Sequence, residues 1–164
     1  MKQIHPIPPV WDADSRILIL GSFPSVKSRE CGFFYGHPQN RFWKVTAAVF
    51  GCAVPETVEE KHAFLLANRV ALWDVIASCE IVGSSDASIR NAVPNDLMPI
   101  LSGAKIERIF TNGSTADALY TRFLLPKTGI PATRLPSTSP ANAAFSLERL
   151  TKAWRQIRTD IGGK

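Results

Sequence analysis

RILILGS, residues 16–22, contains four consecutive aliphatic residues and ends in glycine and serine. A continuous apolar run of this length is typical of a β-strand buried on both faces. Segments 69–76, 106–113 and 132–137 have a similar character. Segments with helical apolar spacing lie between these runs. The alternation predicts an α/β protein with a mostly parallel sheet that is covered by helices on both faces.

Capping residues predict where several helices begin. Thr57 and Glu60 have the spacing of a capping box, which predicts a helix that ends near residue 68. Elsewhere, single residues are expected to cap or start a helix, and these are Pro38, Asn95, Ser114 and Ser146.

Small and polar residues follow the predicted strands. The first strand runs into residues 21–25, the second contains Asp74, the third ends at Asn112, and the fourth runs into residues 136–142. Ligands of open parallel sheets bind outside the carboxyl ends of the strands. The segment GFFYGHPQNRFW, residues 32–43, lies shortly after the first of these turns. We therefore expect aromatic, amide, hydroxyl and carboxylate side chains to converge on one pocket.

Length and composition fit one globular domain spanning residues 1–164, of which 45% are apolar and 20% charged. The formal net charge of +5 modestly favours a polyanionic partner such as nucleic acid. The three cysteines form no C-x-x-C pair, so no zinc or iron–sulfur site is indicated, and a reducing compartment is expected. Without a secretory signal or a run of membrane-spanning length, we expect a cytoplasmic protein with no membrane partner.

The chain lacks the common catalytic signatures, including the phosphate-binding, dinucleotide-binding, zinc-protease and nucleophile-elbow motifs. Its chemistry must therefore use amides, hydroxyls, a carboxylate and aromatic rings. This combination suits a planar heterocycle, because stacking on a ring contributes about 1–3 kcal/mol per base and polar groups can pair with the base edge. Tyr35 lies between turn residues and is a candidate stacking ring, whereas Phe42 and Trp43 are expected in the core. Asp74, an acid in an apolar strand, needs a partner.

Six segments together resemble the uracil-DNA glycosylase superfamily, and more narrowly its DNA-deoxyinosine (hypoxanthine-DNA) glycosylase branch. The resemblance extends from about Pro8 to Trp154, and the runs GHPQNRFWK and SPANA are its most specific parts. The mismatch-specific branch has a similar HP-x-N-R-F-W run. The segments are ILILGSFPS, GFFYGHPQNRFW, LWDVIAS, SSDASIRN, TNGSTA and LPSTSPANA.

The resemblance implies a three-layer αβα fold with a central four-stranded, mostly parallel sheet. It also implies a monofunctional glycosylase that hydrolyses the bond between a deaminated base and deoxyribose and leaves an abasic site. No metal, cofactor or covalent intermediate is expected. The implied partner is double-stranded or single-stranded DNA containing deaminated bases, bound by a monomer that is nucleoid-associated if bacterial.

Several readings of the activity stay open. Hypoxanthine is the expected base, but uracil, xanthine and mismatched thymine are alternatives. A non-catalytic DNA-binding module on the same fold is a second possibility, and a nucleoside or nucleotide hydrolase is a third.

Site residues follow from the same resemblance. Residues 21–25 align with the superfamily's first motif, whose third position usually carries the Asn or Asp that handles water, but here is Phe23. Asn40 is the implied catalytic substitute and Asn112 the second choice. The implied base-binding residues are Ser22, Phe23, Tyr35 and Asp74. The implied DNA contacts are Pro24, Ser25, Ser137, Thr138, Ser139, Pro140, Ala141 and Asn142. The basic side chains of Lys27, Arg29 and Arg41 are candidate phosphate contacts, with a solvated basic surface as the alternative.

Overall fold

A computed structural model describes residues 2–159 of the protein. In chain order the strands are β1 (Lys2–Ile4), β2 (Ile17–Gly21), β3 (Val70–Asp74), β4 (Ile76–Glu80), β5 (Arg90–Pro94), β6 (Arg108–Asn112) and β7 (Ala132–Leu135). The α-helices are α1 (Val26–Cys31), α2 (Phe42–Phe50), α3 (Val58–Ala67), α4 (Met98–Gly103), α5 (Ser114–Leu119), α6 (Leu125–Thr128), α7 (Leu147–Trp154) and α8 (Gln156–Thr159). Within residues 2–159, no helix is long and apolar enough to cross a membrane.

The central sheet contains the four predicted strands, in the order β3–β2–β6–β7, and every neighbouring pair is parallel. Alternate residues of β2 pack into two different apolar layers, one on each face of the sheet, because successive side chains of a strand point to opposite faces. Ile17 and Ile19 pack in the layer that contains α2, α3 and α7. Leu18 and Leu20 pack in the layer that contains α4 and the π-helical turn Tyr120–Leu124. The predicted three-layer αβα fold is therefore confirmed.

A second, three-stranded antiparallel sheet was not predicted. It has the order β1–β4–β5, and β4 begins two residues after the end of β3. The segment 69–76 is therefore not one strand, because the chain turns at Val75 and enters another sheet. Asn95 stabilises this turn, since its Nδ2 donates to the carbonyl oxygens of Asp74, at 2.9 Å, and Ile76, at 3.2 Å.

Two predicted helix starts are confirmed: the capping box of Thr57 and Glu60 precedes α3, and Ser146 caps α7. The other three are wrong. Asn95 is buried at the strand turn instead, and the Asp96 carboxylate accepts from the amide of Met98. Gly113, whose φ of 99° suits glycine, takes the N-cap position predicted for Ser114. Pro38 lies in a turn, and α2 begins only at Phe42.

Candidate active site

A cavity of about 360 Å³ lies at the carboxyl edge of the parallel sheet. Its wall is formed by the turn after β2, the segment before α2, the ends of β3 and β6, and the loop after β7. Most of the site residues expected from the sequence line this cavity; those outside its wall are Lys27, Arg29, Arg41 and Asn142. Tyr35, Asp74 and Asn40 all line it. The predicted convergence of distant segments is therefore observed.

His5 holds the carboxylate of Asp74 at the end of β3. The two side chains are each only 4% exposed, and His5 Nε2 lies 2.8 Å from Asp74 Oδ2. His5 Nδ1 accepts a hydrogen bond from the amide of Ile7 at 3.2 Å, so the ring proton of a neutral imidazole is on Nε2. Asp74 is therefore the acceptor in this pair. Sequence reasoning missed His5 because 69 residues separate the partners and no local motif joins them.

Gly21 lets two polar groups approach the same point of the backbone. A Cβ atom at this position would collide with Asp74 Oδ1 and would lie 3.0 Å from the hydroxyl oxygen of Tyr35. The second carboxylate oxygen of Asp74 therefore lies beside Gly21, and both residues line the cavity. Glycine is required here for a steric reason rather than a conformational one.

Tyr35 combines an unusual backbone with a buried hydroxyl. Its φ of 52° is in the left-handed region, and its ring stacks on Phe42 with centroids 4.2 Å apart. Within residues 2–159 its hydroxyl has no hydrogen-bond partner. Burial, reinforced by the negative charge of Asp74, raises its pKa above the ordinary value, and the nearby Asn112 amide opposes this only in part. The hydroxyl is therefore neutral, and this buried donor has no hydrogen-bond acceptor among the described residues.

Asn40, Thr138 and Asn112 form a connected network. Asn40 Oδ1 accepts from the amide of Phe42 and from the hydroxyl of Thr138, each at 2.9 Å. Asn112 Nδ2 donates to the Thr138 hydroxyl, and Asn112 Oδ1 accepts from the Thr138 amide, both at 3.1 Å. Thr138 is fully buried and its hydroxyl does not lie free at the surface, so its role as a DNA contact stays a prediction. Its side chain joins the two predicted catalytic amides.

Asp86 is a cavity residue that sequence reasoning did not assign, although it lies in the quoted segment SSDASIRN. The hydroxyl of Ser22 donates to Asp86 Oδ1 at 2.8 Å. Asp86 as a whole is exposed, but its carboxyl group lies against the cavity wall. Desolvation of that group raises the pKa of Asp86, the Ser22 hydrogen bond opposes the rise, and the charge of Asp74 adds to it.

Phe23 places an apolar ring at the position where the superfamily's first motif usually has Asn or Asp. Its ring is 7% exposed and meets the ring of His5 edge-to-face, with centroids 5.8 Å apart. The guanidinium of Arg29 lies 5.5 Å above the centroid of the Phe23 ring and also donates to the carbonyls of Pro24 and Gly83. Arg29 thus ties the segment around Gly83 to the start of α1, and the structure does not present it as a free phosphate contact.

Arg41 organises the loop after β7. Its guanidinium donates to the carbonyl oxygens of Ser139, Asn142 and Phe145. The two Nη atoms of Arg41 are thus engaged by the loop, whereas its Nε has no hydrogen-bond partner among residues 2–159, and the role of Arg41 as a phosphate contact stays a prediction.

The loop itself has a defined shape. Asn142 Nδ2 donates to the carbonyl of Ser137, and the hydroxyls of Ser137 and Ser139 accept from backbone amides two residues later. Pro140 and Ala141 are exposed on it. Lys27 is also exposed, with its Nζ 3.8 Å from Glu30, and it remains available to a phosphate.

Fold and cavity together define an α/β protein with aromatic, amide and carboxylate side chains around a cavity at the carboxyl edge of its parallel sheet. Comparison with known proteins identifies the class more closely. Residues 8–158 match the family described as the Uracil DNA glycosylase superfamily. The chain belongs to this superfamily, and the predicted enzyme class, a DNA glycosylase, is confirmed with it.

Two curated relatives cover most of the chain. A protein named hypoxanthine DNA glycosylase from Methanosarcina acetivorans is 35% identical over 152 residues, which are 92% of this chain and 94% of the relative. A protein of the same name from Methanosarcina barkeri is 28% identical over 151 residues, 91% of this chain and 94% of the relative. The solution NMR structure of a candidate uracil DNA glycosylase from M. acetivorans superposes with a TM-score of 0.81, at 34% identity, over 96% of this chain and 97% of that one.

Proposed function

We propose that this DNA glycosylase excises hypoxanthine from DNA and leaves an abasic site, by flipping the damaged nucleotide into the cavity and hydrolysing its glycosidic bond. The observation that carries the proposal is the fixed acceptor at the end of β3. His5 donates to one carboxylate oxygen of Asp74, and the other lies beside Gly21 at the cavity.

An ionised carboxylate can only accept hydrogen bonds, so the group that it binds must present a donor. Hypoxanthine presents N1–H beside its carbonyl, whereas adenine has an acceptor at N1. Adenine in the same position would place two acceptors against each other, and leaving a buried acceptor unpaired costs about 1–3 kcal/mol. The carboxylate of Asp74 thus favours the deaminated base over its parent.

The aromatic and loop residues suit the steps that come before hydrolysis. Flipping a nucleotide out of the stack costs on the order of a few kcal/mol, and less for a mispaired base. One face of the Tyr35 ring lies on Phe42, so the opposite face is the one that can stack on a base in the cavity. The loop that Arg41 holds presents Pro140 and Ala141 to solvent, where they can occupy the space that the flipped base leaves.

Hydrolysis would then depend mainly on electrostatics. Cleavage of the bond leaves positive charge on the sugar and negative charge on the departing base, and fixed donors around the base lower the energy of that state. Asn40 and Tyr35 both line the cavity, and each has a neutral donor; the Tyr35 hydroxyl is buried behind the cavity surface. Phe23 supplies no polar group at the position that usually handles water in the first motif. We therefore expect a modest rate that depends on the lability of the substrate.

Uracil and mismatched thymine are a second set of candidate substrate bases, and one chemical feature that they share with hypoxanthine supports them. Both present a lactam N–H to the same carboxylate, so Asp74 cannot separate them from hypoxanthine by that contact alone. The names of the two curated relatives support hypoxanthine, and the superfamily name supports the wider class.

A panel of end-labelled duplexes tests the proposal. Each duplex contains one hypoxanthine, uracil, xanthine or thymine in a mismatch, or a normal adenine, and alkaline strand scission reports abasic sites under single-turnover conditions. We expect hypoxanthine to be released fastest and adenine not at all. Faster release of uracil or thymine would assign the protein to the second set, and DNA binding without any abasic product would identify a non-catalytic module.

A further inference from the structure

The carbonyl oxygen of Asn40 is already used within the protein. It accepts from the backbone amide of Phe42 and from the hydroxyl of Thr138, both at 2.9 Å. A backbone N–H can only donate, so the atom of the Asn40 side chain that faces it must be the oxygen. Two hydrogen bonds occupy both lone pairs of this oxygen, which leaves no acceptor to orient a water molecule.

The amide nitrogen of Asn40 is oriented by the same contacts. Since Oδ1 faces Phe42 and Thr138, Nδ2 points away from them, and Asn40 lines the cavity. Within residues 2–159, Asn40 Nδ2 makes no hydrogen bond to the protein. The free part of this side chain is therefore a donor.

The hydroxyl of Thr138 has its direction set by Asn112. It accepts from Asn112 Nδ2 at 3.1 Å, and because a hydroxyl has a single hydrogen, that hydrogen is the one given to Asn40. The backbone amide of Thr138 also donates to Asn112 Oδ1 at 3.1 Å, so the second amide is held at both ends. The donation therefore runs one way, from Asn112 through Thr138 to Asn40.

From this geometry we propose that Asn40 acts as a hydrogen-bond donor to the departing base through Nδ2, that it does not activate water, and that Thr138 is the positioning residue that fixes this orientation. The proposal rests on the function proposed above. Negative charge accumulates on the base as the glycosidic bond breaks, and a fixed donor stabilises it there. Asn112 is then a second positioning residue rather than a catalytic one.

Asn40→Asp is the decisive variant. The new carboxylate keeps an oxygen that accepts from Phe42 and Thr138, but it replaces the donor with an acceptor. We expect single-turnover excision of hypoxanthine to fall by about 10²-fold or more, as far as in Asn40→Ala, since removing one donor to a developing anion has effects of about 10²–10³. A rate within about tenfold of wild type would overturn the proposal, because it would mean that an acceptor serves at this position.

The pH profile of Asn40→Asp separates the two roles further. A protonated carboxyl group can donate, so the rate relative to wild type should rise as pH falls from about pH 8 to about pH 5. A water-activating carboxylate would give the opposite slope, and that result would overturn the proposal. Taking the ratio to wild type removes the titration of the other ionisable groups at the cavity, which are His5, Tyr35, His37, Asp74 and Asp86.

Thr138→Val and Thr138→Ser test the positioning role. Valine has nearly the same shape but no hydroxyl, and we expect about a five- to tenfold lower excision rate from the loss of one hydrogen bond, with little change in the affinity for DNA. Serine keeps the hydroxyl and should restore the rate to within about threefold of wild type. Equal rates for the two variants would contradict a role for the hydroxyl.

The outcomes also separate this inference from the proposed function. If the wild-type protein releases uracil but not hypoxanthine, the proposed base is wrong, and the same four variants then test the inference on uracil. If wild-type protein releases no base at all, both fail. Thermal melting of each variant shows whether it is folded, and Asn40→Asp remains decisive if Thr138→Val does not fold.

Discussion

Replacing Asp74 with asparagine should reverse the hydrogen-bonding character of the cavity at the end of β3. His5 Nδ1 accepts from the amide of Ile7, so Nε2 donates, and the asparagine must turn its oxygen toward His5. Its Nδ2 then occupies the place of Asp74 Oδ1 beside Gly21. A donor would face the N1–H of hypoxanthine, where wild-type protein presents an acceptor.

The magnitude follows from the contacts that change. Losing a hydrogen bond to a charged acceptor costs about 1.5–3 kcal/mol, and leaving two donors unpaired against each other costs about 1–3 kcal/mol more. The sum is about 2.5–6 kcal/mol, and each 1.4 kcal/mol is about a factor of ten. We therefore expect Asp74→Asn to excise hypoxanthine about 10²- to 10⁴-fold more slowly than wild type.

The assay is single-turnover cleavage of a hypoxanthine duplex with enzyme in excess, followed by alkaline strand scission. The hydrogen bond from His5 survives in the variant, so the melting temperature should change little, and a folded but slow protein is expected. Asp14→Asn is the matched control, because Asp14 is exposed and lies outside the cavity wall. A rate for Asp74→Asn within about threefold of wild type would refute the reasoning.

Three further predictions concern the surroundings of the cavity. Arg41→Lys keeps the charge but replaces the planar fork, whose two Nη atoms reach three carbonyls, with a single nitrogen, so proteases should cut residues 137–145 faster than in wild type; an unchanged digestion pattern would argue against the anchoring role. Burial raises the pKa of Asp86, so the native state holds its proton to higher pH than the unfolded state, and the free energy of unfolding falls as pH rises through that interval. Asp86→Asn should therefore melt at a higher temperature than wild type at neutral pH, and this difference should disappear at about pH 4 and below, as a melting series across pH will show. Lys27→Ala should lower the affinity for DNA and reduce the slope of its salt dependence by about one, and an unchanged slope in a salt titration would exclude a phosphate contact.

The parallel strands were predictable because each is a short aliphatic run with covered faces. The antiparallel sheet was not, since β1 has three residues and β5 is mostly exposed with an irregular register against β4. Neither has the alternation that marks a half-buried strand. The helix caps Thr57 and Ser146 could be predicted because they depend only on local sequence: donor and acceptor lie within three residues of each other.

The convergence of Tyr35, Asp74 and Asn40 was also predictable, because the carboxyl ends of parallel strands meet at one edge of a sheet. The hydrogen bonds that each side chain makes there could not be predicted from the sequence. The cationic groups of Arg29 and Arg41 looked like phosphate contacts in the sequence, yet both donate to loop carbonyls. Sequence distance hides such contacts, since 98 residues separate Arg41 from Ser139.

The amino-acid sequence alone determined which strands are buried, where the polar turns follow them, and which residue types reach the cavity, because these features depend on local pattern and on the geometry of parallel sheets. Only the tertiary structure decided which atom of each side chain is free. His5 reaches Asp74 through the pairing of β1 with β4, and Thr138 reaches Asn40 across 98 residues, so the free atoms are selected by long-range hydrogen bonds. A carboxylate with one oxygen already bound, and an amide with only its nitrogen free, have a chemistry that their residue names do not specify.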